Sequence, residues 1–294
     1  MNLTGSTPLW VASREMLMGH GEEFFRRLTK AQKSFDAEDI HDLRVASRRL
    51  REGIALFSPC FPAGNFAKLE KQVKKVTRLL GTLRNTDEAI LFFQSLTPEE
   101  MGEGAPLQPE LLDALGKEQK VARKKVKRGL KDFPPQPLRD EYHTARDRPI
   151  IFEESERDPF MEIREYARDG ILARAASVAE LVPVAMEEKE GAAQHQLRIA
   201  IKRERYRLEI IAPLLHRDYD ELHSTLKKYQ EVLGKLHDMD VFSEMARDRA
   251  EEGERTEALL AAIAARRSGT FRTFREMLEK TPLEHVGERA AAAL

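Results

Sequence analysis

With 294 residues, 41% hydrophobic and 34% charged, the chain is long enough for a sizeable apolar core and carries more charge than the globular average of about 25%. Its 49 basic residues nearly cancel its 50 acidic ones, which disfavours a globally cationic binder of nucleic acid or membranes but leaves room for a local basic site. The single cysteine, Cys60, excludes an internal disulfide framework and a CxxC metal cluster, no run approaches the ~18 apolar residues of a membrane span, and no GxxxxGK[ST] or GxGxxG phosphate loop occurs.

The N-terminal segment MNLTGSTPLWVASREM has no basic stretch followed by an apolar run, so a secretory signal is not expected and a reducing cytoplasm fits. Helical periodicity then dominates, and β-branched runs are scarce. The pattern predicts an all-α chain with eight helices, at 8–32, 38–58, 64–95, 108–132, 159–187, 191–215, 217–250 and 254–280. Breaks fall at Pro59, Pro62 and Gly64, at 97–109 and at Pro213. Residues 133–159 hold Pro134, Pro135, Pro137, Pro149 and Pro159 with little periodicity, and read as the connector between two halves.

The halves repeat. HDLRVASRRLREGIALFSPCF at 41–61 aligns without gaps on HQLRIAIKRERYRLEIIAPLL at 195–215, with seven identities in 21 positions: His41/His195, Leu43/Leu197, Arg44/Arg198, Ala46/Ala200, Arg49/Arg203, Arg51/Arg205 and Pro59/Pro213. Average residue frequencies give roughly one by chance. Downstream, 69–88 aligns on 222–241, where Leu69, Lys74, Lys75, Leu80, Gly81, Leu83 and Asp87 recur. Both motifs sit on the second and third helices of a four-helix set. The expected architecture is therefore a tandem pair of four-helix bundles, 7–135 and 158–285, related by an approximate two-fold and making one domain of 1–294.

The first repeated helix carries a basic stripe. His41, Arg44, Arg48 and Arg51 step by 3, 4 and 3 and fall on one helical face, within an arc of about 80°. Leu43, Ala46, Leu50, Ile54 and Phe57 take the opposite face. His195, Arg198, Lys202 and Arg205 repeat the stripe, with Leu197, Ile201, Leu208 and Ile211 opposite. Such neighbours repel by a few tenths of a kcal/mol per pair, and no carboxylate on the stripe relieves them. A solvated face, or neutralisation by acids from neighbouring helices, would account for one such stripe; the recurrence favours a ligand. Segments 68–84 (Lys68, Lys71, Lys74, Lys75, Arg78, Arg84) and 117–131 (Arg123 and Lys127 among them) are also basic, while acids gather at 99–103, 153–158, 186–190 and 251–257. Charge sorted this way focuses a positive field, and guanidinium forks and ammonium groups are natural partners of phosphate oxygens.

HDLRVASRRLR with LGTLRNTD, and HQLRIAIKRER with LGKLHDMD, resemble the paired motifs of the conserved histidine α-helical domain (CHAD) family. The resemblance covers roughly residues 7–285. It implies two four-helix bundles around a basic central cavity and the binding of inorganic polyphosphate, in some bacteria at polyphosphate granules. Members occur alone or fused to a CYTH hydrolase domain; the ExExK signature of that domain is absent here, so a stand-alone cytoplasmic member is expected. The matching positions are His41, Arg44, Arg48, Arg49 and Arg51, His195, Arg198, Lys202, Arg203 and Arg205. Lys74, Lys75, Lys227 and Lys228 match basic positions of the next helix, with Arg78 beside them. Arg123 and Lys127 come from a fourth helix that has no sharp motif. Lys202 and His237 stand where the family has arginine, and Glu204 and Glu209 make the second half less basic, so contact is expected to lean towards 41–131.

An HD-type metal-dependent phosphohydrolase is the enzymatic alternative: His41–Asp42 and His237–Asp238 are HD dipeptides that His20 and Asp113 could complete. The copy of His41–Asp42 is His195–Gln196, however, and Arg44 and Arg48 would repel a divalent cation. Asp42 reads instead as a first-turn acid near a helix N-terminus. A general nucleic-acid-binding protein is the other alternative, but only 7% of the chain is aromatic and no stacking residue interleaves 41–51. Tyr206 reads as a core or rim residue. His41 and His195 are read as phosphate donors that strengthen on protonation near pH 6 to 7, about the range of an ordinary imidazole. Ser47 faces away from His41, and no nucleophile–base pair is evident. The expectation is a non-catalytic protein with no metal and no cofactor. Its partner is inorganic polyphosphate, which sulfate or phosphate would mimic in crystals; membranes and nucleic acids are not expected partners.

Overall fold

Described at residues 3–148, 158–251 and 253–294, the computed structural model has only helices as regular elements among those residues, joined by short turns, apart from an isolated bridge between Pro8 and Glu162. The first half holds α1 (Leu9–Ser34), α2 (Ala37–Phe57), α3 (Ala67–Ser95), the one-turn α4 (Pro98–Met101), α5 (Leu107–Gly129) and α6 (Pro135–Arg146). The second holds α7 (Ile163–Ala185), α8 (Gly191–Ile211), α9 (Tyr219–Arg249), α10 (Glu254–Lys280) and α11 (Glu284–Ala292). Local chemistry sets the joints. Phe35, at φ 52°, ends α1 in the left-handed region, and Asp36 caps α2 by accepting from the Asp39 amide at 2.8 Å. Thr97 and Glu100 form a reciprocal capping box that starts α4.

The eight expected long helices are all present, with ends shifted by a few residues. Three short helices were not foreseen. The segment 133–159, read as the connector between the halves for its lack of periodicity, holds the helix α6. Pro135 and Pro137 lie in its first turn, where a missing N–H leaves no intrahelical bond unmade. Residues 149–157, with Pro149, lie outside the described residues. Tyr142 of α6 is fully buried, donates to the Leu17 carbonyl, and lays its ring over Gly21, where a Cβ would come within 2.1 Å of it. Past the expected boundary at 285, α11 buries Val286, Gly287, Ala290 and Ala291. A Cβ on Gly287 would lie 2.2 Å from the Ala175 methyl of α7. Each half thus ends in a short helix that packs back on its first: α6 on α1, α11 on α7.

Within the halves α1 packs on α2, α2 on α3 and α3 on α5; α7 packs on α8, α8 on α9 and α9 on α10. Across the halves, counterpart meets counterpart: α1 with α7, α2 with α8, α3 with α9 and α5 with α10. The Leu9 amide donates to the Met161 carbonyl at 2.9 Å and the Ile163 amide to the Thr7 carbonyl at 3.0 Å, which fastens the starts of α1 and α7 together. Repeated leucines (Leu43/Leu197, Leu69/Leu222, Leu80/Leu233) are all buried, within one apolar cluster that draws on both halves. Among the described residues no helix is long and apolar enough to cross a membrane.

Candidate functional site

Burial of Leu43, Ala46, Leu50, Ile54 and Phe57 fixes the rotation of α2. The same holds for Leu197, Ile201, Leu208 and Ile211 on α8. With those faces in the core, both basic stripes turn towards the seam where α2 meets α8. A groove of about 660 Å³ opens there, between α2, α3, α8 and α9. His41, Arg44, Arg48 and Arg49 line it from one half, and Arg198, Arg205 and Lys227 from the other. Lys202 lies on the α8 face between Arg198 and Arg205, one turn from each, behind the groove's lining residues, and its charge is felt by His195 and His237.

Four of the local carboxylates are committed to ion pairs, Glu88 with Arg84 and Glu231 with Lys227 among them, while Asp238 lines the groove without one among the described residues. Asp42 pairs with Arg27; Glu209, nearly buried, binds Arg49 and Arg205, both at 2.5 Å, and His223 at 2.8 Å. Among the described residues this leaves Arg44, Arg48, Arg198 and Lys202 without an ion pair. Nε of Arg44, Arg51 and Arg198 and Nδ1 of His195 are buried with no hydrogen-bond partner among those residues. Burial, then Arg48, Arg84 and Arg198, push the Arg44 guanidinium down to about 10, so it stays charged at neutral pH. Burial and the Arg48, Arg198, Arg44 and Arg203 charges bring Lys202 down to about 7. Buried donors are ordinarily satisfied; here cations of both halves crowd together with donors to spare, an arrangement suited to a multivalent anion.

The other expected site residues divide. Lys74, Lys75 and Arg78 are exposed on α3, and Arg203 and Lys228 on α8 and α9, outside the groove wall. Arg51 is half-buried between Glu70 and Arg203, also beyond it. His195 lies against His237 with ring centroids 4.0 Å apart and the rings tilted by 39°. Burial, Arg198 and Lys202 lower its pKa, so the expectation that it gains a proton near pH 6 to 7 is corrected towards more acid pH. His237 falls to about 4, from burial first. Arg123 and Lys127 gather over the Phe35 ring at 5.3 and 5.8 Å, and Arg123 donates to the Phe35 carbonyl at 3.2 Å. These two sit at the C-terminal end of α1, where a cation meets the helix dipole.

Arg84, Asn85, Gln230, His237 and Asp238 also line the groove. The repeat held a signal for four of them: Arg84 and Asn85 align with His237 and Asp238. Asp42 is an ion-pair partner of Arg27, not the first-turn acid expected; Asp36 caps α2 and Glu38 and Asp39 fill its first turn. His20 is desolvated beside Arg49, while Asp113 is exposed and pairs with Lys117 at 2.7 Å. The two come from different surroundings, and among the described residues no group of three or more metal-ligating side chains forms. Ser47 is fully buried and donates to the Arg44 carbonyl at 2.8 Å. Tyr206 is nearly buried at the groove wall with Arg205 4.7 Å over its ring, so it is both core and rim.

A family model described as CHAD domain matches residues 16–247. The crystal structure of the CHAD domain from the plant Ricinus communis superposes with a TM-score of 0.63 at 18% identity, over 100% of this chain and 95% of that one. PptA from Streptomyces chartreusis superposes with a TM-score of 0.58 at 15% identity, over 97% of this chain and 99% of that one. At these identities the two structures speak for the fold. No curated protein matches the chain.

Proposed function

Because the chain belongs to the CHAD domain family, known for its association with polyphosphate, we propose that it binds inorganic polyphosphate in the groove between α2, α3, α8 and α9, without catalysis. The observation that carries this reading is the meeting of Arg44 and Arg48 with Arg198 at one groove, without an ion pair to the described residues. A phosphate chain presents closely spaced oxygens along its whole length. It supplies acceptors to several guanidinium forks at once and needs no stacking platform. The exposed Lys74, Lys75, Arg78, Arg203, Lys227 and Lys228 extend the positive field for a chain longer than the groove. We take the pairing of counterpart helices as the sign of an approximate two-fold that makes the site bipartite. In a cell that stores polyphosphate, such a site would hold this protein in the cytoplasm at polyphosphate granules.

The test is a competition titration of long-chain polyphosphate against single-stranded DNA of equal charge at fixed salt. Polyphosphate is expected to displace DNA, because its charge is denser and no base needs a partner. Equal competition by DNA would overturn the polyphosphate reading in favour of a general polyanion or nucleic-acid binder.

A further inference from the structure

A second cavity adjoins the basic groove. It is a cleft of about 590 Å³ between α3, α9 and α10, and its walls include Leu91, Phe92, Val232, Met239 and Phe242. Leu91, 61% exposed, stands on the rim of this cleft. The Phe92 and Phe242 rings pack at 4.8 Å, and Arg266 lies 5.8 Å over Phe92, held in place by Glu100 and Ser95. Glu88, Asp238 and Phe242 line both the cleft and the groove, so the two spaces share a wall.

The order of chemistry along this path is specific. An apolar cleft comes first, then two carboxylates, then the arginines. Glu88 pairs with Arg84, but Asp238 makes no ion pair among the described residues, and a carboxylate there is out of place for a phosphate chain alone. Asp238 is desolvated and repelled by Glu88, which raises its pKa despite Arg198 nearby. A phosphate chain makes no use of the apolar cleft either. A ligand with an aromatic ring, a pair of hydroxyls and a phosphate chain, in that order, uses all three, since hydroxyls donate to carboxylates. Concave, mostly apolar walls with a few convergent polar groups are the usual form of a small-molecule site.

We propose that cleft and groove together form a site for a nucleoside 5′-polyphosphate. The base lies between α3, α9 and α10, the ribose hydroxyls meet Glu88 and Asp238, and the phosphates meet Arg44, Arg48, Arg84 and Arg198. This rests on the reading of the groove as a phosphate site and adds the class of small molecule that shares it.

The experiment is calorimetric titration of the full chain with adenosine 5′-triphosphate, inorganic tripolyphosphate and long-chain polyphosphate at one salt concentration. The triphosphate nucleotide should bind roughly tenfold or more tighter than tripolyphosphate, the gain from enclosing one base in an apolar cleft. Leu91→Asn strips the wall and Thr273→Trp fills the cleft from its exposed rim; both should erase that advantage and leave tripolyphosphate unchanged. Equal affinity of nucleotide and tripolyphosphate for the unmodified chain would overturn the inference. So would a nucleotide advantage that survives both substitutions. If long-chain polyphosphate fails to bind while the nucleotide binds and responds to the substitutions, the polyphosphate reading falls and the nucleotide site stands. If no phosphate compound binds, both fall.

Discussion

Arg44 and Arg48 lie one turn apart on α2 with Arg198 as their neighbour across the seam, and their repulsion is left uncompensated by any ion pair to the described residues. Replacing both with Gln keeps helix propensity and most of the stem packing while removing two charges. The double variant Arg44→Gln/Arg48→Gln should lose about 2–5 kcal/mol of polyphosphate affinity, the range for breaking desolvated charge contacts. Its melting temperature without ligand should hold or rise. Thermal melts with and without polyphosphate check this; a variant that melts lower yet keeps the full ligand-induced gain would assign the arginines to the scaffold. Lys202 adds a pH dependence. With its pKa at about 7 in the free protein and 10.5 as the ordinary value, the unfolded chain binds the extra proton between those limits, so this residue makes the free fold gain stability as pH rises from 7 towards 10. Binding runs the other way. A polyanion favours the ammonium form, so affinity should fall as pH rises through 7, with proton uptake on binding. Lys202→Arg, charged throughout, should flatten that slope in titrations at pH 6 and 8, which bracket the free value of about 7.

At the scale of the element, the long helices were legible because their apolar period is set by core burial. The short helices were not. α6 contains Pro135 and Pro137, which read as breakers until their place in the first turn is known, and only its packing against α1 makes the helix worth forming. Isolated helices of this length are marginal in water. That dependence is testable at Gly21, whose missing Cβ leaves room for the Tyr142 ring. Gly21→Ala should destabilise the protein by about 1–3 kcal/mol, the usual cost of overpacking, in denaturant unfolding. Helix propensity alone predicts the opposite sign, because Ala is the better helix former by about 1 kcal/mol. A more stable Gly21→Ala would mean that α6 does not press on α1 as described.

On the scale of the whole molecule, a near-neutral chain concentrates positive charge along one seam by placing like helices against like. α2 meets α8 and α3 meets α9, so residues more than 150 positions apart in sequence, such as Arg44 and Arg198, share a groove. Polyphosphate binding there should be strongly salt-dependent. By analogy with single-stranded nucleic acid, log K should fall against log salt with a slope of about 0.7 per phosphate neutralised. The slope should shrink by one to two such increments in Arg44→Gln/Arg48→Gln, measured by titration over a series of salt concentrations. A slope near zero would mean that the groove recognises its ligand without counterion release.

The sequence by itself determined the helices, the repeat and the basic stripes, because each follows from spacing along one chain: a 3, 4, 3 step puts four side chains on one face of a helix whatever surrounds it. It also held the aligned Arg84/His237 and Asn85/Asp238 pairs, which sit at the groove together. Tertiary structure decided which charges stay unpaired. Arg205 shares the stripe of Arg198, and Arg49 follows Arg48 in the sequence, yet Glu209 takes both of them, and nothing in the local spacing shows that a carboxylate on α8 will reach across to α2. It decided equally that Arg123 and Lys127 cover Phe35 at the end of α1, away from the groove. Periodicity is a property of the single helix; the neutralisation of a charge depends on which helix is packed against it, and only the assembled fold settles that.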